Sequence, residues 1–318
     1  MNIKSYKQYS NKFQNFTMYK IQSGASKKKL FRLKKNSQHY ILIDFNNDKI
    51  EYNNHIRIYD ILKNINISVP KIIEKNDDDL SLICEDFGDL RFDKILNDYP
   101  LKDILIYAID TLVILNNSID FDKGNKIPQY NFRKFESEVM EMPQYYFPYI
   151  KLNDKNLVDE FFNIWLEGFE NFKFEFIYFA HKDFNINNLF FLPSKKNHLK
   201  CGVIDFQSAF WGESSWDLFS LLEDSRILFS DKYNKKFIKY FYSKKNFNIS
   251  FDEFLSKYYF LSSSRQTRLL GRWVKLAKEF NQKWYLDFIS TTQYRLKKSI
   301  LLSENKKLIR FYNRYIFK

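Results

Sequence analysis

The sequence predicts an α+β fold of two lobes, in which an N-terminal antiparallel sheet with one main helix precedes a mostly helical C-terminal lobe. Three observations predict it. Short apolar runs separated by turn residues fill the first part of the chain, long runs with helical spacing fill most of the remainder, and a hairpin pattern interrupts the helical part. We expect the N-terminal lobe to cover residues 1–86 and the C-terminal lobe to cover residues 87–318.

The N-terminal lobe is predicted from strands that alternate with turn residues. Five strands are expected, over residues 17–22, 30–33, 40–45, 69–73 and 80–84. The segment Ser23-Gly24-Ala25-Ser26 supplies the first turn, and residues 76–79 supply the last. Residues 51–64 have the apolar spacing of an amphipathic helix.

Helical spacing dominates the C-terminal lobe. Helices are expected over residues 101–116, 157–172, 216–225, 231–242, 251–280 and 283–302. A strand-like segment at 176–179 and a hairpin formed by 189–192 and 199–205 interrupt them. The residues with catalytic potential lie in this interruption.

Composition and charge exclude several classes of protein. With 45% hydrophobic residues, including 34 Phe and 22 Tyr, the chain has enough apolar area for true cores and is not intrinsically disordered. The formal charge of +13 comes from Lys and Arg residues scattered in short runs, which is typical of a solvated surface. We therefore expect no nucleic-acid partner, no membrane partner and a monomer.

Cysteine usage and the absence of long apolar runs predict a cytoplasmic protein. The only two cysteines, Cys84 and Cys201, each lie in an apolar run, so neither a disulfide scaffold nor a zinc site is indicated. The first residues lack the apolar core of a signal peptide, and residues 104–115 are too few to cross a bilayer.

Two motifs in the interruption carry the catalytic prediction. His181 precedes Asp183 by two residues, and Asn188 follows Asp183 by five; an apolar strand then ends at Asp205. A carboxylate can orient an acceptor hydroxyl and take its proton, while amide and carboxylate oxygens bind Mg²⁺ on a nucleotide. Either motif alone arises by chance, but together and in this order they match the protein-kinase-like fold. We expect Asp183 to be the base, Asn188 and Asp205 to be metal ligands, and all three to converge on one cleft.

Longer segments around these motifs resemble one family. Residues 205–212 and 216–224 are similar to the aminoglycoside phosphotransferase/choline kinase-like superfamily, in the branch of the N-acetylmuramate and N-acetylglucosamine anomeric kinases. Further segments agree in order: 23–26, 30–33, 40–44, 69–72, 85–89 and 265–276. The resemblance implies ATP-dependent phosphorylation of the anomeric hydroxyl of an amino sugar in peptidoglycan recycling, with ATP and Mg²⁺ as cofactors.

The resemblance also implies roles for individual residues. The turn formed by Ser23, Gly24, Ala25 and Ser26 would cover the phosphates. The segment from Glu85 to Phe87 would be the hinge between the lobes, whose backbone meets adenine. Two further residues, His181 and Asp217, would brace the catalytic loop.

One departure from the general kinase pattern is the third strand, because residues 40–44 contain no Lys to pair with the phosphates. The anomeric-kinase branch also tends to lack this Lys. Some cation must still neutralise the phosphates, and we expect Arg32 first and Lys28 second, against the alternative that each is a solvated surface charge.

Substrate contacts are the least specific prediction. Trp211 and Trp216 have aromatic faces that suit a sugar ring, although core packing is an equal alternative in so aromatic a chain. Arg265 and Arg268 could bind a lactyl carboxylate or sugar hydroxyls, against a helix surface position.

Two other functions remain open at this stage. The acceptor could be an aminoglycoside, choline, homoserine or another small alcohol, which would call for an acidic pocket because most of these acceptors are cationic. The chain could also be a nucleotide-binding pseudokinase, a hypothesis that rests only on the missing third-strand Lys.

Overall fold

A computed structural model describes residues 13, 15–21, 27–122, 124, 126–152, 154–227 and 229–317. The chain forms two compact units, one from residues 1–118 with 186–209 and the other from residues 119–185 with 210–318. These units divide the chain at other positions than the lobes expected at 1–86 and 87–318. That lobe boundary stays a prediction.

The strands are short. They are β1 Thr17–Ile21, β2 Lys29–Lys35, β3 Gln38–Asp44, β4 Ile72–Asn76, β5 Ser81–Glu85, β6 Tyr178–Ala180, β7 Leu189–Phe191, β8 Cys201–Val203 and β9 Phe210–Gly212. The α-helices are α1 Lys49–Leu62, α2 Phe92–Ile95, α3 Leu101–Ser118, α4 Phe132–Val139, α5 Phe147–Tyr149, α6 Lys155–Glu170, α7 Trp216–Leu222, α8 Asp231–Lys244, α9 Phe251–Glu279, α10 Ile289–Leu302 and α11 Lys306–Tyr315.

The first unit contains the predicted sheet. Strands β1 to β5 form one antiparallel sheet in the order β1-β2-β3-β5-β4. Helix α1 follows β3 and begins at a cap formed by the side chain of Asp48, which accepts a hydrogen bond from the backbone of Glu51. The structure therefore has the five strands and one main helix that the sequence predicts for this region.

The alternation of side chains along the strands gives the sheet two apolar faces. Phe31, Leu42 and Ile83 belong to the cluster on one face. Leu82, the neighbour of Ile83, lies in the other cluster, where it is joined by Tyr52 from α1. Burial of both faces explains why these strands read as nearly continuous apolar runs.

Strand β4 begins later than predicted. The expected strand starts at residue 69, but the paired strand starts at Ile72, and its register shifts between Ile72 and Glu74. Pro70 has no backbone N–H to give to a neighbouring strand, so the chain around it does not extend the ladder.

The first unit also contains a small hairpin. Strands β7 and β8 pair antiparallel, with Leu189 opposite Val203. Ser68 bridges to Gly202 in β8, and Arg91 bridges to Phe190 in β7, so both edges of the hairpin are covered by backbone from the N-terminal part of the chain. This hairpin carries the residues predicted to bind the metal.

The second unit is mostly helical, with β6 and β9 paired antiparallel. The predicted helix over residues 283–302 is in fact a 3₁₀ turn, Lys283–Phe288, followed by α10. Helices α4 and α11 and strand β9 were not predicted. In the part of the chain that the structure describes, no helix is both long enough and apolar enough to cross a membrane.

Candidate active site

Asn188 and Asp205 lie at the same end of the β7–β8 hairpin. Asn188 directly precedes β7, and its carbonyl oxygen accepts a hydrogen bond of 3.1 Å from the backbone N–H of Ile204, the residue before Asp205. The pairing of Leu189 with Val203 fixes this register. A carboxylate and an amide, 17 residues apart in the sequence, are thereby placed at one hairpin end.

The backbone at Asp205 is left-handed, with φ 65°. Asp tolerates this conformation better than most residues, although it still costs free energy that the surroundings must supply. The next residue, Phe206, is buried and packs its ring on that of His55, with centroids 4.7 Å apart. The packing of Phe206 holds the turn in which Asp205 is presented.

The side chain of Lys28 contacts this turn. Its Nζ lies 2.7 Å from Oδ1 of Asp205 and 3.2 Å from Oε1 of Glu51, which is on α1. Gln207 donates from Nε2 to the same two carboxylates, at 3.0 Å and 3.1 Å. Burial lowers the pKa of Lys28, but Asp205 and Glu51 outweigh that effect, so its pKa is raised and the ammonium stays charged.

His55 stays neutral beside this cluster. Burial and the nearby charge of Lys28 lower its pKa to about 3. Among the residues that the structure describes, the cluster therefore has two carboxylates and one cation, and the side chain of Asp205 is still 39% exposed. Its net negative charge suits a bound cation.

The hard oxygen donors of Asn188 and Asp205 are those that Mg²⁺ prefers. Among the described residues no group of three or more His, Cys, Asp and Glu side chains could hold a metal ion. A magnesium ion at this hairpin end would therefore complete its coordination with phosphate and water oxygens, as Mg²⁺ commonly does.

Arg32 has a different position from Lys28. Its Nε lies 2.6 Å from Oδ2 of Asp86, its Nη1 lies 2.5 Å from Oδ1 of Asp89, and its Nη2 donates to the carbonyl oxygen of Gly88 at 2.9 Å. The hydrogen bond from Arg32 lowers the pKa of Asp89. Of the two cations expected near the phosphates, Lys28 contacts a predicted metal ligand, whereas Arg32 fixes the segment that follows β5.

That segment contains two residues predicted to meet the nucleotide. Glu85 ends β5 and exchanges hydrogen bonds with the backbone of Lys71, through its own N–H and its Oε2. Phe87 packs so closely on Gly202 that a Cβ there would lie 2.6 Å from its ring. The other predicted nucleotide contacts, Ser23, Gly24, Ala25 and Ser26, lie outside the described residues.

The second unit contains Asp183 and the loop that presents it. Both oxygens of Asp217 accept backbone N–H groups of this loop, from His181 at 2.6 Å and from Lys182 at 3.0 Å. Lys182 has a left-handed φ of 82°, which a non-glycine residue keeps only when its surroundings hold it. The carbonyl oxygen of Asp183 accepts two hydrogen bonds from Asn185, at 2.9 Å and 3.0 Å.

Burial encloses two side chains at the loop, those of Asp217 and His181. It raises the pKa of Asp217 to about 7, although the two backbone N–H groups oppose the shift. His181 is 1% exposed, and its ring meets that of Phe184 edge to face at 5.7 Å. Both side chains are therefore enclosed, and the structure gives them contacts within the loop.

Three arginines interact electrostatically with Asp183, namely Arg226, Arg265 and Arg268. Arg226 binds Asp224 through two hydrogen bonds of 2.8 Å and 2.9 Å. Arg268 binds Glu138 at 2.9 Å. Arg265 is only 6% exposed.

The two tryptophans considered as sugar contacts, Trp211 and Trp216, are buried. Trp211 is 1% exposed and Trp216 is 3% exposed. Trp211 packs edge to face on Phe121, and Trp216 packs on Tyr130. Both rings therefore pack in the core, which is the alternative that the sequence leaves open, and a sugar contact by either stays a prediction.

The sheet with one helix, the β7–β8 hairpin and the Asp183 loop are the elements expected of phosphotransferases with a kinase-like fold. Residues 174–246, which include Asp183, Asn188, Asp205 and Asp217, match the family model described as the phosphotransferase enzyme family. The predicted resemblance and the predicted phosphotransferase class are thereby confirmed.

Two curated relatives have the same name, N-acetylmuramate/N-acetylglucosamine kinase. The protein from Caulobacter vibrioides is 29% identical over 111 residues, which are 35% of this chain and 30% of the relative. The protein from Neisseria meningitidis serogroup B is 21% identical over 249 residues, 74% of this chain and 71% of the relative. The match therefore spans less than a third of the Caulobacter relative's own length.

Solved structures confirm the predicted protein-kinase-like fold. The GDP complex of wild-type aminoglycoside 2′-phosphotransferase-IIIa gives a TM-score of 0.63 at 13% identity, covering 89% of this chain and 93% of that chain. The ADP-bound aminoglycoside phosphotransferase APH(2″)-Ib gives 0.59 at 17% identity, covering 94% and 97%. At such identities the likeness establishes the fold alone.

Proposed function

We propose that the protein transfers the γ-phosphoryl group of ATP to the anomeric hydroxyl of an amino sugar, N-acetylmuramate or N-acetylglucosamine, giving a sugar 1-phosphate. The name of the two curated relatives supports the acceptor, and the GDP and ADP in the related structures support a nucleotide donor. We place the reaction in the cytoplasm as a step of peptidoglycan recycling, carried out by a monomer.

The observation that carries the proposal is the contact of Lys28 with Asp205 and Glu51. Kinases use an ion pair between a strand Lys and a helix Glu, beside the Asp that binds the metal, to neutralise the phosphates. Here the helix Glu is Glu51 on α1, and the Lys comes from the residue before β2. Lys28 would thus replace the Lys that the third strand lacks.

The remaining nucleotide contacts follow from position. Asn188 and Asp205 would hold Mg²⁺, which supplies positive charge to the phosphate oxygens when bound. The backbone of residues 85–87 would meet adenine, and the turn at residues 23–26 would cover the phosphates. Arg32 would act indirectly, by fixing the backbone at Gly88 and the carboxylates of its segment.

Asp183 would be the general base. Its carboxylate would accept the proton of the acceptor hydroxyl as the acceptor oxygen bonds to the γ-phosphorus, and the bond from that phosphorus to the β–γ bridging oxygen would break to release ADP. Asp217 would keep Asp183 in position through the two backbone N–H groups that it accepts, those of His181 and Lys182.

Charge near Asp183 favours an amino sugar over a polycationic acceptor. The carboxylate of Glu138 is already bound to Arg268, and that of Asp224 is already bound to Arg226. A polyamine acceptor would need several unpaired carboxylates. We therefore rank aminoglycosides and choline below neutral or acidic sugars.

The test is product analysis. Purified protein with ATP, Mg²⁺ and either sugar should form a sugar 1-phosphate that phosphorus NMR identifies. Asp183→Asn should lower the rate at least about a hundredfold, whereas the exposed Asp159→Asn on α6 should not.

Other outcomes would contradict the proposal in distinct ways. Phosphate at another hydroxyl, or on an aminoglycoside alone, would show that the acceptor is wrong. Nucleotide binding in a thermal-shift assay with no product on a broad panel of sugars would indicate a pseudokinase.

A further inference from the structure

Arg265 is a buried cation. It lies in the middle of α9 and is 6% exposed. Within the part of the chain that the structure describes, its guanidinium makes no hydrogen bond or ion pair with another residue. Buried guanidinium groups normally have such partners, because an unpaired charge in a protein interior is costly.

The neighbouring arginines show the normal pattern. Arg268, three residues further along α9, is bound to Glu138, and Arg272 is bound to Glu141. Arg226 forms a two-point pair with Asp224. Counting only pairs between described residues, Arg265 is thus the one member of this group of four without an ion pair.

The surroundings of Arg265 include the proposed base. Burial lowers its pKa to about 10, and the charge of Arg268 acts in the same direction, whereas Asp183 and Asp224 act in the opposite direction. Asp183 is therefore near enough to interact with Arg265. A molecule whose hydroxyl meets Asp183 brings its other substituents into the region of this guanidinium.

We propose that Arg265 binds a carboxylate of the acceptor, so that the preferred substrate is an acidic sugar. This inference rests on the proposed function. N-acetylmuramate differs from N-acetylglucosamine by a lactyl ether that ends in a carboxylate, and a guanidinium binds a carboxylate through two parallel hydrogen bonds. Binding would pair the buried charge, which the neutral sugar cannot do.

The structure also allows a competing role, in which Arg265 only orients Asp183. The two roles differ in one measurable quantity, the ratio of kcat/KM for the acidic sugar to kcat/KM for the neutral sugar. A carboxylate ligand changes this ratio, because only one acceptor makes the contact. A positioning residue lowers both values by the same factor.

The experiment measures that ratio in the full chain with ATP and Mg²⁺. The wild type should prefer N-acetylmuramate by roughly tenfold to a hundredfold, the range for a hydrogen bond to a charged group. Arg265→Gln should bring the ratio to about one, and Arg265→Lys should restore part of it. The matched control Arg272→Gln, on the same helix, should keep the wild-type ratio.

A wild-type ratio near one, or an equal loss on both sugars in Arg265→Gln, would overturn the inference. If the wild type turns over neither sugar, the proposed function fails, and the inference is then judged by binding. N-acetylmuramate should raise the melting temperature of the wild type more than N-acetylglucosamine does, and no difference would overturn it. If Arg265→Gln does not fold, Arg265→Lys and the wild-type ratio still decide.

Discussion

Adding a single methyl group at Gly271 should lower the free energy of unfolding strongly. Helix α9 passes so close to the segment after α4 that a Cβ at residue 271 would lie 2.2 Å from the carbonyl oxygen of Glu141 and 2.8 Å from the backbone nitrogen of Met142. Both atoms belong to the backbone, so no side chain can rotate away. Gly271→Ala must push two packed segments apart.

The expected loss is large for so small a change. Normal contact begins at about 3.4 Å, so the segments would have to separate by more than 1 Å at this point. Adding a methyl group to a packed core costs about 1–3 kcal/mol, and we expect the upper end because backbone must move. The ion pairs of Arg268 with Glu138 and Arg272 with Glu141 join the same segments and would be stretched as well.

Urea unfolding followed by circular dichroism measures the effect. Gly271→Ala should lower the free energy of unfolding by about 3 kcal/mol, whereas the control Ser256→Ala, on the outer part of α9, should stay within about 0.5 kcal/mol. The sign of the change in the free energy of unfolding is decisive, because alanine in an uncrowded helix stabilises the protein by about 1 kcal/mol relative to glycine. An unchanged or more stable Gly271→Ala protein would refute the close approach.

Two further predictions concern Lys28 in the first unit and Asp217 in the second. Lys28→Met should lower kcat/KM for ATP at least about tenfold by removing a charge-assisted contact, while the exposed Lys29→Met should not; equal activity of the two variants would exclude Lys28 from nucleotide binding. Burial raises the pKa of Asp217 from 3.8 to about 7, so between these pH values the folded state retains a proton that the unfolded state has lost. The free energy of unfolding should therefore fall by about 3 kcal/mol from pH 5 to pH 8 through this group. Asp217→Asn should remove that fall, which urea unfolding at the two pH values measures; an identical pH dependence in both proteins would contradict it.

The sequence predicts the sheet better than the small elements of the helical unit. Strands β3 and β5 contribute to the apolar clusters on both faces of the sheet and β2 contributes to one of them, so their apolar runs are distinct. Helix α4, by contrast, has only eight residues, FRKFESEV, which is shorter than the window over which a helical pattern can be recognised. Strand β9 has three residues and is formed by pairing with β6, about 30 residues earlier, which no local pattern can reveal.

The candidate site was predictable in its residue types but not in its pairings. Lys28 and Arg32 are four residues apart, hence on one face of an extended chain but separated by about 13 Å along it. They consequently meet different partners, Asp205 at one end of β2 and Asp86 at the other. Sequence alone could not rank the two cations, because the ranking depends on which distant carboxylate the fold brings to each end.

The net charge is a second property from which the sequence alone cannot predict the site. The formal charge of +13 is a property of the whole surface, and exposed charges contribute little specific free energy because water and salt screen them. A buried charge is different, since its solvation must be replaced by a partner within the protein or on a ligand. Arg265 contributes one unit to the total, yet its burial near Asp183 says more about the acceptor than the net charge does. If Arg265 proves to be paired by the carboxylate of an acidic sugar, the unpaired cation will have identified the substrate class that composition could not.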